Sequence, residues 1–138
     1  MTDEHRRENI ALEVTKARRE LRHARLLMEA EGYDGAVSRA YYHAFHFAQA
    51  LLLCAGLEAK THGGIAHLVN LHFVRSGRLA PEVARVLSRL QNDREDADYD
   101  AAAVFTRTMA EAAIGEAQRF GEAVETLLSG EGFLPPPT

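Results

Sequence analysis

Ser38-Arg-Ala-Tyr-Tyr-His-Ala-Phe-His46 is the stretch of this 138-residue chain that decides its fold. Two shorter pieces follow it, Thr61-His-Gly-Gly64 and Arg94-Glu-Asp-Ala-Asp-Tyr99. Coiled as a helix, the first stretch has small or apolar residues on one side. Its other side carries Arg39, Tyr42, His43 and His46. Polar and aromatic side chains gathered in this way need an explanation beyond solubility.

Outside this stretch, apolar residues recur at alternating steps of three and four, which predicts helices. Gly32 and Gly56 are predicted to end the first two, because glycine readily adopts the left-handed conformation that closes a helix. Thr61 and Pro81 suit the starts of later helices. The predicted helices span about 4–31, 34–55, 61–75, 81–96 and from 98 or 100 to 128. With no alternating strand pattern, the sequence predicts an all-α up-and-down bundle of four long helices plus one short helix.

Length and composition favour one helical domain over residues 1–138, with a frayed tail from about residue 129. The formal net charge of −4 argues against a broad basic surface but is compatible with a local cationic pocket. The single cysteine, Cys54, excludes an internal disulfide. Since neither a signal peptide nor an apolar run long enough to span a bilayer is found, we expect a cytoplasmic protein without membrane contact.

Arg94 lies where a charge is costly, because it continues the apolar stripe of the fourth predicted helix. An unpaired guanidinium at such a position would be strongly destabilising. One interpretation is an internal ion pair with Asp98, four residues further on, that fixes the junction between the last two helices. The other is a cleft in which Arg94 binds a phosphate, since the planar guanidinium matches phosphate oxygens. The residues alone leave both interpretations open.

The three pieces, in this order and spacing, resemble the HEPN family of small helical proteins, in the branch with the pattern R-A-Y-Y-x-x-F-H … T-H-x-G … R-x-x-A-D-Y. The resemblance covers residues 8–128, almost the whole chain. It implies a homodimer. In many members, an arginine and a histidine that follows after four to six intervening residues meet in the dimer cleft and cleave RNA without a metal. Such proteins are often paired with a minimal nucleotidyltransferase in a two-component toxin–antitoxin or stress-defence system.

This sequence departs from that motif after Arg94, which matches the family's arginine but is followed by no histidine. Asp98 and Tyr99 stand where the histidine would be. Arg39 and His46 show the arginine–histidine spacing on the second helix, so we interpret Arg94, His46 and Arg39 as the candidate catalytic residues. Bonds to carbonyls or acids across a helix interface are the structural alternative for Arg39 and His46. The candidate ligand-binding residues of the cleft are Tyr42, His62, Asp98 and Tyr99.

The seven histidines raise the question of a metal site. His43 and His46 are three residues apart on one helix, but neither a second cysteine nor a His-Glu-x-x-His motif accompanies them. We therefore expect no metal site and no cofactor.

The sequence and the resemblance favour the HEPN half of a two-component HEPN/minimal nucleotidyltransferase system, binding RNA or nucleotide in a dimer cleft. Any enzymatic activity is expected to be that of a metal-independent endoribonuclease. The alternative is a noncatalytic nucleotide-binding or dimeric scaffolding module, in which the same residues hold a nucleotide or lock the dimer. A third interpretation makes the chain a substrate of its partner, with Tyr99 as the modified residue.

Overall fold

Helices form most of the computed structural model, which describes residues 2–134. Their bounds are α1 Asp3–Glu29, α2 Tyr33–Cys54, α3 His62–Val69, α4 Pro81–Tyr99 and α5 Arg107–Gly130. A π-helical turn, Asn70–Val74, continues α3. Among the described residues there is no strand, and no helix has an apolar stretch long enough to cross a membrane. The predicted all-α bundle of four long helices and one short helix is confirmed.

The central helix is α2, which packs against α1, α4 and α5. Small side chains on its buried faces let the neighbouring helices approach closely, and they include Ala36, Ala40, Ala44 and Ala48. Phe47 and Leu51 are fully buried, and each contributes about 1.5–3 kcal/mol through burial. On α5, Gly121 allows close contact with α2, because a Cβ there would lie 2.7 Å from Nε2 of His43. One chain therefore covers most of α2 by itself.

The turn between α1 and α2 is closed by Glu31 and not, as predicted, by Gly32. Glu31 has the left-handed backbone, with φ at 63°, whereas φ of Gly32 is −86°. The Gly32 amide donates to the Leu27 carbonyl at 2.8 Å, and the Glu31 amide to the Met28 carbonyl at 3.1 Å. These are the two bonds of a Schellman motif. Gly32 serves as the N-cap of α2, so Asp34 lies in the first turn, where its charge suits the positive end of the helix dipole.

Three other predicted helix boundaries are confirmed. Gly56 closes α2 with a left-handed φ of 73°. The Thr61 hydroxyl caps α3 by accepting a hydrogen bond from the Gly64 amide at 3.0 Å. Pro81 occupies the first turn of α4, where a missing amide hydrogen costs nothing. In each case the signal is local, because the capping residue acts on its own turn.

The last turn of α4 extends beyond the predicted end at residue 96 and reaches Tyr99. Asp98 and Tyr99 are therefore helical residues and do not belong to a loop or a cap. Because residues four apart lie on one face of a helix, Arg94 and Asp98 are neighbours one turn apart.

The start of α5 also differs from the prediction, since neither Asp98 nor Asp100 caps it. The helix begins at Arg107. Its cap is the Thr106 hydroxyl, which accepts a hydrogen bond from the Met109 amide at 3.2 Å. A loop of seven residues, 100–106, therefore separates the Arg94 end of α4 from α5.

The residues after α5 fold back onto α1. The Phe133 amide donates to the Leu128 carbonyl at 2.8 Å. The guanidinium of Arg7 lies 5.0 Å from the centre of the Phe133 ring and donates to the Gly132 carbonyl. The first part of the tail expected to be frayed is thus in contact with α1, and residues 135–138 lie outside the described part of the chain.

Candidate functional site

Arg94 is surrounded by tyrosine rings. Its guanidinium carbon lies 5.3 Å from the ring centre of Tyr41 and 5.9 Å from those of Tyr42 and Tyr99. The Arg94 side chain is only 11% exposed, whereas Tyr99 is 79% exposed. Two of the rings come from α2 and the third from the end of α4. The arginine therefore lies at an aromatic opening between these helices.

The carboxylates nearest to Arg94 are loose partners. Nη1 is 3.8 Å from Oδ2 of Asp98, and Nη2 is 4.0 Å from Oε1 of Glu95. Nε is buried and has no hydrogen-bond partner among residues 2–134. Because buried donors are normally satisfied, the hydrogen-bonding capacity of this guanidinium is only partly used. The ion pair with Asp98 is present, but it does not saturate Arg94.

Tyr41 connects Arg94 to His62. Its ring is buried in the core. Its hydroxyl, however, lies 2.6 Å from Nδ1 of His62. Burial raises the pKa of Tyr41 to about 12, although the charge of Arg94 acts to lower it. The hydroxyl therefore stays protonated at neutral pH and can both donate and accept a hydrogen bond.

His62 is fixed at the start of α3. Thr61 caps this helix through Gly64, which makes His62 its first residue. The imidazole stacks on Phe45 of α2, with 4.7 Å between the ring centres and 15° between the planes. With Nδ1 at the Tyr41 hydroxyl, the ring is held from two directions while the residue remains exposed. The α3 cap thus brings His62 to the same side of α2 as the Arg94 opening.

Arg39 reaches the cluster through Tyr42. Its guanidinium carbon lies 4.8 Å from the centre of the Tyr42 ring, which also contacts Arg94. Nη1 of Arg39 donates to Oε2 of Glu20 at 3.0 Å. Since Glu20 is almost completely buried, Arg39 neutralises an acid that would otherwise be costly. The ion pair with Glu20 therefore holds Arg39 beside Tyr42.

His46 faces α1 and is not directed at Arg94. Its Nδ1 lies 2.7 Å from Oε2 of Glu13, and its ring meets Phe45 edge-on at 5.0 Å. Within residues 2–134, no ion pair or ring contact joins His46 to Arg94. The structure therefore brings Arg94 together with Tyr42, His62, Asp98 and Tyr99, and it places His46 at the edge of this group.

The third histidine of interest, His43, belongs to the core. Its Nδ1 donates to the Ala17 carbonyl at 2.6 Å, and burial lowers its pKa. His43 and His46 thus have separate partners on α1. Across the described residues, no three metal-binding side chains come together.

Glu13 and Glu20 support the site, but the sequence analysis did not identify them. They are seven residues apart on α1, and the residues they bind, His46 and Arg39, are seven apart on α2. Seven residues are almost two helical turns, so each pair of side chains lies on one face of its helix. This matched spacing on two helices joined by a short turn is the signal that could have predicted both contacts.

Comparisons with known proteins agree with the architecture. The sequence profile of the HEPN domain matches residues 12–127. A protein of Methanocaldococcus jannaschii named "Putative toxin" is 36% identical over 122 residues, which cover 88% of this chain and 90% of that protein. A second protein of that name and organism is 30% identical over 121 residues, covering 88% and 82%. A "UPF0332 protein" of Thermotoga maritima is 33% identical over 113 residues, covering 82% and 86%. The resemblance found in the sequence is confirmed, and this chain belongs to the HEPN family.

Proposed function

We propose that this chain is the HEPN half of a two-component toxin–antitoxin or stress-defence system and that it binds RNA at the Arg94 opening. The other component is a minimal nucleotidyltransferase, as the family resemblance implies. The match to the HEPN domain and the toxin names of two relatives support the toxin-like role. RNA binding is argued from the geometry around Arg94.

The observation that carries the proposal is the unsaturated guanidinium of Arg94. Its nearest carboxylate oxygens, at 3.8 and 4.0 Å, lie beyond ordinary hydrogen-bond length. A phosphate oxygen at about 2.8 Å from Nη1 or Nη2 would be a stronger partner. Because Asp98 is partly exposed on the last turn of α4, its side chain can turn towards solvent as the phosphate approaches.

Tyr42 and Tyr99 supply a second means of binding. The bases of single-stranded RNA stack on aromatic side chains, and such stacking tolerates any sequence. Both rings contact the guanidinium of Arg94, so a base stacked on either ring would hold its phosphate close to the arginine. The same arrangement suits a free nucleotide, which carries one base and its phosphates.

Fluorescence anisotropy with a labelled single-stranded RNA tests the proposal. We expect Arg94→Ala to weaken binding by about 10-fold or more, since hydrogen bonds to charged groups contribute about 1.5–3 kcal/mol. Arg89→Ala is the matched control, because Arg89 lies on the same helix and pairs with Glu116 at 3.2 Å, away from the tyrosines. Equal affinities of the wild-type protein and both variants would contradict RNA binding at this site.

A noncatalytic nucleotide-binding or dimeric scaffolding module is the second candidate. It is favoured by the absence of a histidine after Arg94 and by the engagement of His46 with Glu13. Growth arrest on expression that disappears with Arg94→Ala would select the toxin. Binding of RNA without growth arrest and without cleavage would select the module.

A further inference from the structure

His62 combines an exposed position with a fixed ring. Its Nδ1 lies 2.6 Å from the Tyr41 hydroxyl, and its plane is nearly parallel to that of Phe45. Because Nδ1 is directed at Tyr41, Nε2 is on the opposite side of the ring from this hydrogen bond. A histidine that transfers protons to a substrate needs such an oriented ring with one nitrogen left for the substrate.

The tyrosine that orients His62 also contacts Arg94. The guanidinium carbon lies 5.3 Å from the Tyr41 ring centre, and the His62 ring centre lies 5.9 Å from it. One buried side chain thus holds both a cation that suits phosphate and a group that can accept a proton. Cleavage of a phosphodiester requires that such a cation and such a proton acceptor are held at fixed positions relative to each other.

The two histidines of α2, His43 and His46, do not share this arrangement. The side chain of His46 is bonded to Glu13 of α1, and that of His43 is buried against the Ala17 carbonyl. Neither has a ring contact with Tyr41 among the described residues. His62, which lies on α3, is therefore the histidine that the fold links to Arg94.

We propose that His62 is the catalytic residue that transfers protons during RNA cleavage at the Arg94 opening, and that Tyr41 is its positioning residue. The proposal rests on the RNA binding proposed above. It places the proton acceptor on α3, where the chain returns to α2, and so replaces the histidine that is missing after Arg94.

The reaction needs no metal and no oxidant. Nε2 of His62 takes the proton of a ribose 2′-hydroxyl, and the 2′ oxygen forms a bond to the adjacent phosphorus. The bond between phosphorus and the 5′ oxygen of the next nucleotide breaks, and that oxygen receives the proton back from His62. The products are a 2′,3′-cyclic phosphate and a 5′-hydroxyl, with no net change in protons. Arg94 stabilises the negative charge that accumulates on the phosphate oxygens between these steps.

A tyrosine hydroxyl suits both protonation states of His62. In the neutral ring with its proton on Nδ1, the Tyr41 oxygen accepts the hydrogen bond and Nε2 has a free lone pair. In the imidazolium, Nδ1 still donates to the same oxygen. Since burial keeps Tyr41 protonated well above neutral pH, its hydroxyl does not become a competing base. The orientation of His62 is therefore retained before and after proton transfer.

The test measures binding and cleavage of one 5′-labelled single-stranded RNA in EDTA. We expect His62→Ala to slow cleavage by about 10²–10⁴-fold, the usual contribution of general acid–base catalysis, while the affinity for the RNA stays close to that of the wild type. We expect Tyr41→Phe, which removes only the hydroxyl, to lower kcat by less than His62→Ala does and to leave KM close to that of the wild type. His67→Ala is the matched control, because His67 is exposed on the same helix.

The outcomes separate this proposal from the proposed RNA binding. Loss of cleavage in His62→Ala with retained binding, together with an unaffected His67→Ala, supports it. Full cleavage by His62→Ala, or an RNA that the wild type binds without cutting, overturns the role of His62 and leaves RNA binding in place. Absence of RNA binding by the wild type overturns both. A folded Tyr41→Phe protein with the kcat of the wild type, or one in which only KM changes, overturns the positioning role of Tyr41.

Discussion

At the scale of single residues, α1, α2 and α5 end in the same pair of backbone hydrogen bonds but with different residues in the left-handed position. Gly56 and Gly132 occupy it after α2 and α5, at φ of 73° and 81°. Glu31 occupies it after α1, at 63°. A residue with a Cβ is disfavoured in this conformation by about 1–2 kcal/mol. The end of α1 therefore retains backbone strain that the other two ends avoid.

Replacing Glu31 should relieve this strain. We expect Glu31→Gly to raise the free energy of unfolding by about 1 kcal/mol, because the gain exceeds the added flexibility of the unfolded chain. Urea denaturation measures the change. Glu8→Gly, at an exposed position inside α1, is the control and should destabilise by about 1 kcal/mol. A Glu31→Gly protein less stable than the wild type would show that contacts of the Glu31 side chain stabilise the fold by more than its backbone strain destabilises it.

The residues of the site differ in how far the sequence could predict them. Arg94 could be found because it lies at the end of an apolar stripe, where a charge demands a partner. The role of the Tyr41 hydroxyl could not, because a tyrosine on the apolar side of a helix fits a core equally well. A core tyrosine and a tyrosine that binds a histidine differ here only in the position of His62. That position depends on how α3 packs against α2.

At the scale of elements, α1 and α2 share a regular series of polar contacts. They are Glu13 with His46, the Ala17 carbonyl with His43, and Glu20 with Arg39. Each contact is about one turn from the next, so the series fixes the register of the two antiparallel helices. The middle contact is the most buried, so protonation of its histidine, His43, would place a charge in the core.

His43 should make the stability of the fold depend on pH. Burial lowers its pKa in the folded protein, so the unfolded chain binds a proton more readily. The contribution of neutral His43 to the free energy of unfolding is complete above the pKa of the unfolded chain, about 6.5. It is lost progressively as the pH falls below that value. We expect the free energy of unfolding to decrease from about pH 7 to about pH 5, and to decrease less in His43→Gln. An unchanged pH dependence in this variant, compared with a His67→Gln control, would contradict the assignment.

Element boundaries show where local signals suffice and where they do not. Thr61, Pro81 and Gly56 were predicted correctly because caps act within one turn. Between α4 and α5, however, Asp98, Asp100 and Thr106 are all suitable N-caps. In the structure α4 continues to Tyr99, which lies against the guanidinium of Arg94 on the same helix, and Thr106 is left as the cap of α5. Three suitable caps between residues 98 and 106 give local signals of the same kind, so the sequence alone does not choose between them.

At the scale of the whole molecule, part of the exposed apolar surface lies away from the central helix α2. The family resemblance implies a dimer, but α1, α4 and α5 cover most of α2, so α2 itself leaves little surface for a second chain. Three exposed apolar side chains lie in or beside the α4–α5 loop. They are Tyr99, Val104, which is 78% exposed, and Met109. Large exposed apolar groups close together are typical of interaction surfaces.

We predict that the protein is a homodimer formed through the α4–α5 loop. Light scattering at micromolar concentration should give twice the mass of one chain. Val104→Asp should give the mass of a single chain, because a charge at the contact would lose its hydration. Leu26→Asp, which changes an exposed leucine on α1, should remain dimeric. A monomeric wild type would contradict the dimer, and a dimeric Val104→Asp would place its interface on another surface.

The contact of Arg7 with the segment around Phe133 sets an order of events during synthesis. Arg7 and Gly132 are 125 residues apart in sequence, so this contact can form only after both α1 and α5 have been synthesised. The pairing of α1 with α2 involves residues much closer in sequence and can form far earlier. The first two turns of α1 therefore receive this covering later than the rest of the helix receives its contacts with α2.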